Sequence, residues 1–243
     1  MNLIKLSAID STNTFLKNLA SSENVQNFTT VVAEHQTNGK GQRGANWIIE
    51  PGKNLTFSVL YANSLSSNRS LFTLNVIVAV SVVEGLQIES NLNFSIKWPN
   101  DILSDNKKIA GILIENSIKS QTEIQSIIGI GINVNQELFE NLPQASSLLL
   151  LEHKKTDKDL LLKNIVSRLE YNLNQLNHLE ESYFWKKYHA SLFKREIVAT
   201  FENLKGERFV GKIIQVTPEG KLKVQLEDAL EVDFDVKEIK MLY

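Results

Sequence analysis

The chain has no cysteine among its 243 residues, which excludes disulfide bonds, thiolate catalysis and zinc sites built on cysteine. An excess of positive charge is also absent: the chain has 26 lysine and arginine residues against 28 acidic ones, for a formal net charge of -2. Broad, non-specific affinity for nucleic acid needs clustered positive charge, so this balance argues against it. The 4 histidines show no pairwise spacing typical of a metal site.

The sequence also lacks an apolar run of about 18 residues, the length that a membrane-spanning helix requires. Its most apolar stretch, residues 71–83, is interrupted by Thr73, Asn75 and Ser81. No basic region followed by an apolar core stands at the N-terminus, so no secretory signal is predicted. We therefore expect a cytoplasmic protein. Neither a P-loop nor a Gly-x-Ser-x-Gly nucleophile elbow is present.

The composition is that of an ordinary globular protein, with 42% hydrophobic and 22% charged residues. Apolar periodicity predicts helices at residues 70–87, 156–176 and 180–192, and a short helix that begins near Phe15. Segments rich in β-branched residues predict strands at residues 3–6, 29–34, 54–61, 94–97, 108–117 and 123–134.

The character of the chain changes after Lys194. Short alternating segments are separated by turn signals such as Pro218-Glu219-Gly220. This spacing predicts a small, separate β-barrel or half-barrel of about 50 residues. The predicted strands span residues 197–201, 208–216, 221–226, 231–234 and 238–242.

A glycine-rich loop is the first candidate for binding chemistry. Gly39, Gly41 and Gly44 fall within six residues. Backbone amides freed by glycine can approach a phosphate or a carboxylate closely, and Lys40 and Arg43 add positive charge. On residue types alone, a flexible surface loop is the simpler explanation of the segment.

The second candidate is the segment Lys-Trp-Pro-Asn-Asp at residues 97–101. Proline just after a strand ends the pairing and sets the chain direction. Asp101 suits a magnesium–phosphate complex or a ribose, and Lys97 suits a phosphate. The alternative is a strand followed by an Asn-Asp turn.

Two later strands carry the remaining candidates. Lys108 begins an apolar strand and can neutralise negative charge that develops at a phosphate, or it can simply keep the strand soluble. Ala110 and Gly111 would let a flat ring lie against the backbone. The glycines of residues 129–135 indicate close approach by a ligand, with Asn133 holding a nucleotide, or a β-bulge.

The order and spacing of these segments resemble the catalytic domain of biotin protein ligases. Ala-Ser-Ser-Leu at 145–148 is similar to a further segment of that family. The matching segments are Ser-Thr-Asn at 11–13, Glu-His-Gln at 34–36, Gly-Lys-Gly-Gln-Arg-Gly at 39–44, Trp47, Lys-Trp-Pro-Asn-Asp at 97–101, Lys-Ile-Ala-Gly-Ile-Leu-Ile-Glu at 108–115 and Gly-Ile-Gly-Ile-Asn-Val-Asn at 129–135.

The resemblance implies an α+β fold: a mixed β-sheet flanked by helices, related to lipoate ligases, with a small C-terminal SH3-like β-barrel. We expect a catalytic domain at residues 1–192 and the SH3-like domain at residues 193–243. The family's reaction has two steps. Biotin and ATP give biotinyl-5'-AMP and pyrophosphate, with Mg2+ expected. A lysine of the biotin carboxyl carrier protein of acetyl-CoA carboxylase then takes the acyl group.

Site residues follow from the same resemblance, position by position. Lys108 and Lys97 are implied as catalytic residues, because a carboxylate and a triphosphate repel each other unless cations hold both. The metal ligands are left unassigned. The residues implied to bind biotin are Ser11, Thr12, Asn13, Gln36, Lys40, Gly41, Gln42 and Lys108. Those implied to bind the nucleotide are Arg43, Trp47, Asn100, Asp101, Gly111 and Asn133.

The glycine-rich loop departs from the family pattern Gly-Arg-Gly-Arg-x-Gly-Arg. Its arginine positions hold Lys40, Gln42 and Ala45. Lysine keeps the charge but lacks the forked geometry of arginine, and the other two residues carry no charge. Either the adenylate is held less tightly here, or Arg43 compensates.

Two alternatives to a biotin ligase stay open. One is a lipoate or other cofactor ligase on the same fold, and the other is a nucleotide-binding module without catalysis. Some family members carry an N-terminal helix-turn-helix domain and act as repressors. This chain reaches Ser11 almost at once, so we expect a ligase without specific DNA binding. A homodimer is compatible with the resemblance.

Overall fold

The structure of the chain, a computed structural model, describes residues 2–64, 70–120, 123–140, 142–176 and 180–243. His178, one of the histidines considered above, lies outside these residues. Within them, no group of three or more histidine, aspartate or glutamate side chains is placed to hold a metal ion.

The larger of two β-sheets has seven strands in the spatial order β1-β2-β3-β7-β6-β5-β4. In this order the β1–β2 pair is parallel, and the other five neighbouring pairs are antiparallel. The predicted mixed sheet is therefore confirmed. Its strands are β1 (Leu3–Ile9), β2 (Thr30–Gln36), β3 (Leu55–Ser64), β4 (Phe94–Lys97), β5 (Asp101–Ser104), β6 (Lys107–Ser120) and β7 (Glu123–Ile132).

Helices cover both faces of this sheet, as predicted. They are α1 (Thr12–Ser22), α2 (Leu71–Glu89), α3 (Leu148–Glu152), α4 (Lys158–Gln175) and α5 (Glu181–Ala190). Side chains alternate along each strand, so Val31 and Leu60 pack with α1 on one face. Val32 and Val59 belong to the main core on the other face, which contains α2 and α4.

Helix α2 is the one described helix that is long and apolar enough to cross a membrane, and 61% of its span Phe72–Glu89 is buried inside the molecule. Val76, Ile77 and Val82 of this helix are fully buried in the main core. Burial in the main core therefore explains the apolar character of this helix.

The second sheet is antiparallel, with five strands in the spatial order β11-β10-β9-β8-β12, and agrees with the expected SH3-like unit. It contacts the larger sheet near β4: Trp98 Nε1 donates to Gly220 O at 2.9 Å, and Phe193 N donates to Ile96 O at 2.9 Å. Its strands are β8 (Val198–Asn203), β9 (Arg208–Val216), β10 (Leu222–Leu226), β11 (Glu231–Phe234) and β12 (Ile239–Leu242).

Two short elements were not predicted. Residues 101–104 form β5 and pair with both β4 and β6, so Asp101 stands at the start of a strand. Helix α3 begins at Leu148, with the Ser147 hydroxyl accepting from Leu150 N as its cap. Neither segment has a readable period: Asp-Ile-Leu-Ser at 101–104 sets its two apolar residues side by side, and Leu148–Glu152 begins with four consecutive leucines.

Candidate active site

The floor of the site is a row of residues that crosses the larger sheet. Thr56 of β3 is paired with Gly131 of β7, and Gly131 is paired with Gly111 of β6. Gly111 is paired in turn with Asp101 of β5. Paired residues share a face of the sheet, so the two adjacent glycines leave a trough with a carboxylate beside it.

The indole of Trp47 lies over these glycines. A Cβ atom at Gly131 would come within 2.4 Å of Trp47 Cε2, and one at Gly111 would come within 3.2 Å of Cζ3. A flat ring was predicted to lie against the backbone at Ala110 and Gly111, and the ring that lies at Gly111 in this structure is an indole of the same chain. The Trp47 Nε1 group is buried and has no hydrogen-bond partner among the described residues.

Lys108 reaches the trough through a β-bulge. The register between β5 and β6 shifts next to it, which re-aims the side chain. Its ammonium group would lie 3.5 Å from a Cβ atom at Gly111, and it lies 2.6 Å from Asp101 Oδ1. The Lys108 side chain remains 35% exposed, so a ligand in the trough can contact it.

Lys97, the last residue of β4, faces an adjoining cavity. Burial lowers the pKa of the Lys97 ammonium, the Asp101 carboxylate works against that shift, and Lys108 adds to it. The Lys97 ammonium lies 5.1 Å from the centre of the Tyr243 ring, within range of a cation–π interaction. The two lysines predicted to be catalytic both line this cavity.

Two cavities meet at the ion pair. The first has a volume of about 190 Å³ and the second about 610 Å³, and Trp47, Asp101 and Lys108 line both. The second cavity also receives Lys240 and Tyr243 from the end of the smaller sheet. These two residues were not predicted from the sequence, because local patterns do not reveal which part of one sheet faces another.

Polar groups at the start of α1 line the first cavity. Ser11 caps the helix, its hydroxyl accepting from Thr14 N. Thr12 N donates to Gln36 Oε1 at 2.8 Å, and Thr12 Oγ1 lies 3.0 Å from the same oxygen. The structure thus brings together Ser11, Thr12 and Gln36, which the resemblance assigned to one ligand.

Asn13 lies just below these groups, and its amide is already engaged. Its Nδ2 donates to Glu115 Oε2 at 2.7 Å, and its Oδ1 lies 2.6 Å from Ser58 Oγ. A Cβ atom at Gly129 would come within 2.3 Å of that Oδ1, so this glycine makes room for the amide. Ser58 and Glu115 were missed as site residues. Their one sequence signal is a polar side chain on a largely apolar strand.

The glycine-rich loop folds as a small hairpin. Trp47 N donates to Gly39 O at 2.9 Å, and Gly41 N donates to Ala45 O at 2.6 Å. A single 3-10 turn at Gln42–Gly44 forms its tip. The hairpin explains how Trp47 is brought over the trough.

Side chains of this hairpin take different directions. Lys40 Nζ donates to Thr14 Oγ1 at 3.0 Å, near the start of α1. Lys40, Gly41 and Gln42 line the first cavity. The backbone of Arg43 belongs to the turn, but its side chain lies outside the described part of the structure.

The two remaining asparagines of the predicted nucleotide set are held by main-chain carbonyl groups. Asn100 Nδ2 donates to Ile112 O at 2.6 Å, and Asn133 Nδ2 donates to Ser146 O at 3.0 Å. Asn100 lines the first cavity and Asn133 the second.

Residues 6–133 match the model of the Biotin/lipoate A/B protein ligase family, which is more than half of the chain. The chain belongs to this family. The family prediction is therefore confirmed, and the matched range contains every residue that was assigned to the site, from Ser11 to Asn133.

Several relatives extend this similarity. The bifunctional ligase/repressor BirA of Bacillus spizizenii is 28% identical over 240 residues, 95% of this chain and 71% of the relative. The biotin–[acetyl-CoA-carboxylase] ligase of Mycobacterium tuberculosis is 29% identical over 148 residues, 60% of this chain and 54% of the relative. Among solved structures, the biotin protein ligase from Aquifex aeolicus in complex with biotin and ATP has a TM-score of 0.81 at 28% identity and covers 99% of this chain and 98% of its own.

Proposed function

We propose that this chain is an enzyme that uses ATP to ligate biotin to protein. The observation that carries the proposal is the Lys108–Asp101 ion pair, which joins two cavities of different character. One cavity contains hydroxyl and amide groups at the start of α1, and the other is lined by Tyr243 and apolar side chains. A biotin head and an adenylate fit this division. The full-length similarity to a ligase solved with biotin and ATP supports it.

In the first step, an oxygen of the biotin carboxylate attacks the α-phosphorus of ATP, and pyrophosphate leaves as the P–O bond breaks. The product is biotinyl-5'-AMP. In the second step, a lysine amine of the biotin carboxyl carrier protein of acetyl-CoA carboxylase attacks the acyl carbon. An amide forms, AMP leaves, and the amine loses a proton.

Biotin is assigned to the first cavity. The ureido ring of biotin carries N–H and carbonyl groups, which Ser11, Thr12 and Gln36 can match. A lipoate dithiolane ring has no such groups, so these polar residues favour biotin. Lys40, Gly41 and Gln42 of the hairpin would cover the ligand, while Asn13 supports the pocket from below.

The nucleotide is assigned to the second cavity, of which Trp47 forms part of the wall. An aromatic ring offers a stacking surface for adenine. Gly111 makes room for the Trp47 ring that would contact the nucleotide, and Asn100 and Asn133 line the two cavities. Arg43 is assigned to the nucleotide from its place in the hairpin turn.

Catalysis is assigned to Lys108 and Lys97. Lys108 lies where the two cavities meet, so its ammonium can hold the attacking carboxylate against the α-phosphate. Lys97 lies in the neighbouring cavity and would hold the departing phosphates. The Asp101 carboxylate keeps the Lys108 ammonium in position before a ligand arrives.

Magnesium fits this site as an ion carried on ATP phosphates. Such a complex needs only one or two protein carboxylates, and Asp101 supplies one in the cleft. Bound there, Mg2+ would neutralise phosphate charge. No further carboxylate or histidine among the described residues is grouped with Asp101 to build an all-protein cage.

The wider setting is proposed on the same basis. We expect action in the cytoplasm on the carrier protein, with no membrane attachment and no specific DNA binding. A homodimer is compatible with the fold. The boundary between a catalytic domain at residues 1–192 and an SH3-like domain at residues 193–243 agrees with the division into two sheets.

The test is incorporation of labelled biotin into a purified carrier domain. Purified chain, ATP, Mg2+ and biotin should label the carrier, and lipoate should not replace biotin in pyrophosphate release. A carrier variant with its target lysine replaced by arginine serves as the control. Pyrophosphate release that depends on lipoate but not on biotin would favour the lipoate alternative. Absence of pyrophosphate release with either compound would exclude the proposed ligase activity.

A further inference from the structure

Lys108 lies on β6 at a point where its neighbour β7 has already ended. The last residue pair of these two strands joins Ala110 to Ile132. Beside Lys108 the place of β7 is taken by a loop: Lys108 N donates to Gln144 O at 2.6 Å, and Ser146 N donates to Lys108 O at 3.1 Å. This loop therefore supplies the main-chain hydrogen bonds that β7 does not extend far enough to make.

Asn133, the first residue after β7, ties the loop to Lys108 with its side chain. Its Nδ2 donates to Ser146 O at 3.0 Å and lies 3.4 Å from Lys108 O. Carbonyl oxygens only accept hydrogen bonds, so both must face the amide nitrogen, and the orientation of the amide is fixed. Asn133 is 5% exposed, and its own N donates to Ile109 O at 2.8 Å, which fixes its main chain to the same strand.

The β-bulge makes this support necessary. The pairing of β5 with β6 skips Ile109, which is the extra residue next to Lys108. A bulge disrupts the regular ladder and bends the strand that contains it, so the direction of the adjacent side chain depends on what else holds the main chain. On the side of Lys108 away from β5, the loop at residues 144–146 holds it.

We propose that Asn133 is a positioning residue for Lys108. Its amide nitrogen holds residues 144–146 against β6, and the loop in turn keeps the Lys108 ammonium in the trough, 2.6 Å from Asp101 Oδ1. Ser146 is 6% exposed, so its carbonyl would lose a hydrogen bond in a buried place if the nitrogen were removed. The loop would then shift away from β6, and the main chain of Lys108 with it.

This inference rests on the proposed function, in which the Lys108 ammonium holds the attacking carboxylate against the α-phosphate. It gives Asn133 a task that differs from contact with the nucleotide. A nucleotide contact would use the amide oxygen, whereas the positioning role uses the amide nitrogen. The two roles can therefore be separated by a change at one atom.

Asn133→Asp makes that change, since it keeps the shape of the side chain and one oxygen but replaces the nitrogen by a second oxygen. That oxygen would face the carbonyl groups of Lys108 and Ser146, and three acceptors would meet without a proton. Single-turnover pyrophosphate release at saturating ATP and biotin should slow by about tenfold. An unchanged rate with a raised KM for ATP would show a nucleotide contact alone and would overturn the inference.

A double-mutant cycle with Lys108→Ala tests whether Asn133 acts through the lysine. In the Lys108→Ala chain, adding Asn133→Asp should change the rate by less than about twofold, because the cation that Asn133 positions is gone. A merely structural role would slow the reaction by the same factor in both backgrounds. Equal factors therefore overturn the inference.

Asn133→Ala and Asn172→Ala form a matched pair, which also decides the matter if Asn133→Asp does not fold. Asn172 is 4% exposed on α4, and its Nδ2 donates to Ser81 Oγ at 3.0 Å and to Glu84 Oε2 at 2.9 Å. Each variant removes a buried amide with two acceptors, so both should lower the melting temperature. Only Asn133→Ala should slow pyrophosphate release, by about tenfold.

The outcomes separate this inference from the proposed function. A wild-type chain without biotin-dependent pyrophosphate release overturns the proposed function. An active wild-type chain whose Asn133→Ala and Asn172→Ala variants release pyrophosphate at equal rates overturns this inference alone.

Discussion

The Lys108 ammonium and the Asp101 carboxylate lie 2.6 Å apart because a β-bulge interrupts the pairing of their strands. On a regular strand, residue 108 would point away from the face that Gly111 shares, since side chains alternate. The extra residue reverses this relation and turns a cation toward the trough. A local irregularity of the backbone therefore supplies the charge on which the proposed chemistry depends.

The first prediction concerns this cation. Lys108→Ala should lower the rate of biotinyl-5'-AMP formation by about 100-fold, because a positioned charge at a transferring phosphate has that order of effect. Single-turnover pyrophosphate release measures it, with the melting temperature as the check on folding. Lys163→Ala, an exposed lysine of α4, is the matched control. Equal rates in the two variants would contradict the role given to Lys108.

The second prediction concerns pH. Burial lowers the pKa of Lys97, so this ammonium loses its charge at a lower pH than an ordinary lysine does. If it holds phosphate, KM for ATP should rise as pH increases through that lowered pKa. Lys97→Arg remains charged, so its KM should stay level over the same alkaline range. Parallel pH profiles for both proteins would exclude a phosphate contact at this position.

The third prediction concerns the indole over the trough. Gly131→Ala would place a Cβ atom 2.4 Å from Trp47 Cε2, so the ring must move. We expect kcat/KM for ATP to fall by about tenfold, which corresponds to roughly 1.4 kcal/mol. Adding Gly131→Ala to a Trp47→Ala chain should cost little more, because the clashing ring is gone. If the reductions in kcat/KM of the two single variants multiply in the double variant, Gly131 does not act by making room for the Trp47 ring.

The fourth prediction concerns retention of the intermediate. Arg43 is the one arginine of a loop whose family arginine positions hold Lys40, Gln42 and Ala45. Arg43→Ala should speed the release of biotinyl-5'-AMP in the absence of carrier protein, and Gln42→Arg should slow it. Trapping the released adenylate in rapid-filtration experiments gives both rates. Unchanged release from Arg43→Ala would mean that Arg43 does not compensate.

Most of the fold was predictable because most of its elements, even some of four residues, carry a readable pattern. The strand Phe94–Lys97 and the strand Glu231–Phe234 have the bounds that the sequence indicated. Strand β5 was not predicted, since four residues beginning with Asp101 carry no readable alternation. Alternation indicates which side of a strand meets the core, and the adjacent Ile102 and Leu103 are both buried, so they give no alternation.

Site residues that belong to sequence motifs were predictable. Site residues that reach the site through tertiary contacts were not. Ser11, Thr12 and Gln36 were grouped by resemblance, and the structure brings them together. Ser58 and Tyr243 were not predicted, because a serine on a strand and a tyrosine after β12 form no recognisable motif. Only the packing of α1 over β3, and of one sheet beside the other, reveals what these two side chains touch.

The row from Thr56 through Gly131 and Gly111 to Asp101 runs through interior strands of the larger sheet. Backbone amides of such interior strands exchange with solvent mainly through large-scale unfolding. A ligand that binds beside this row binds only the folded sheet, so its binding is linked to the unfolding equilibrium. At a concentration of 100 Kd it would raise the unfolding free energy by about 2.7 kcal/mol. Thermal shift can thus rank biotin, ATP and their analogues without any turnover.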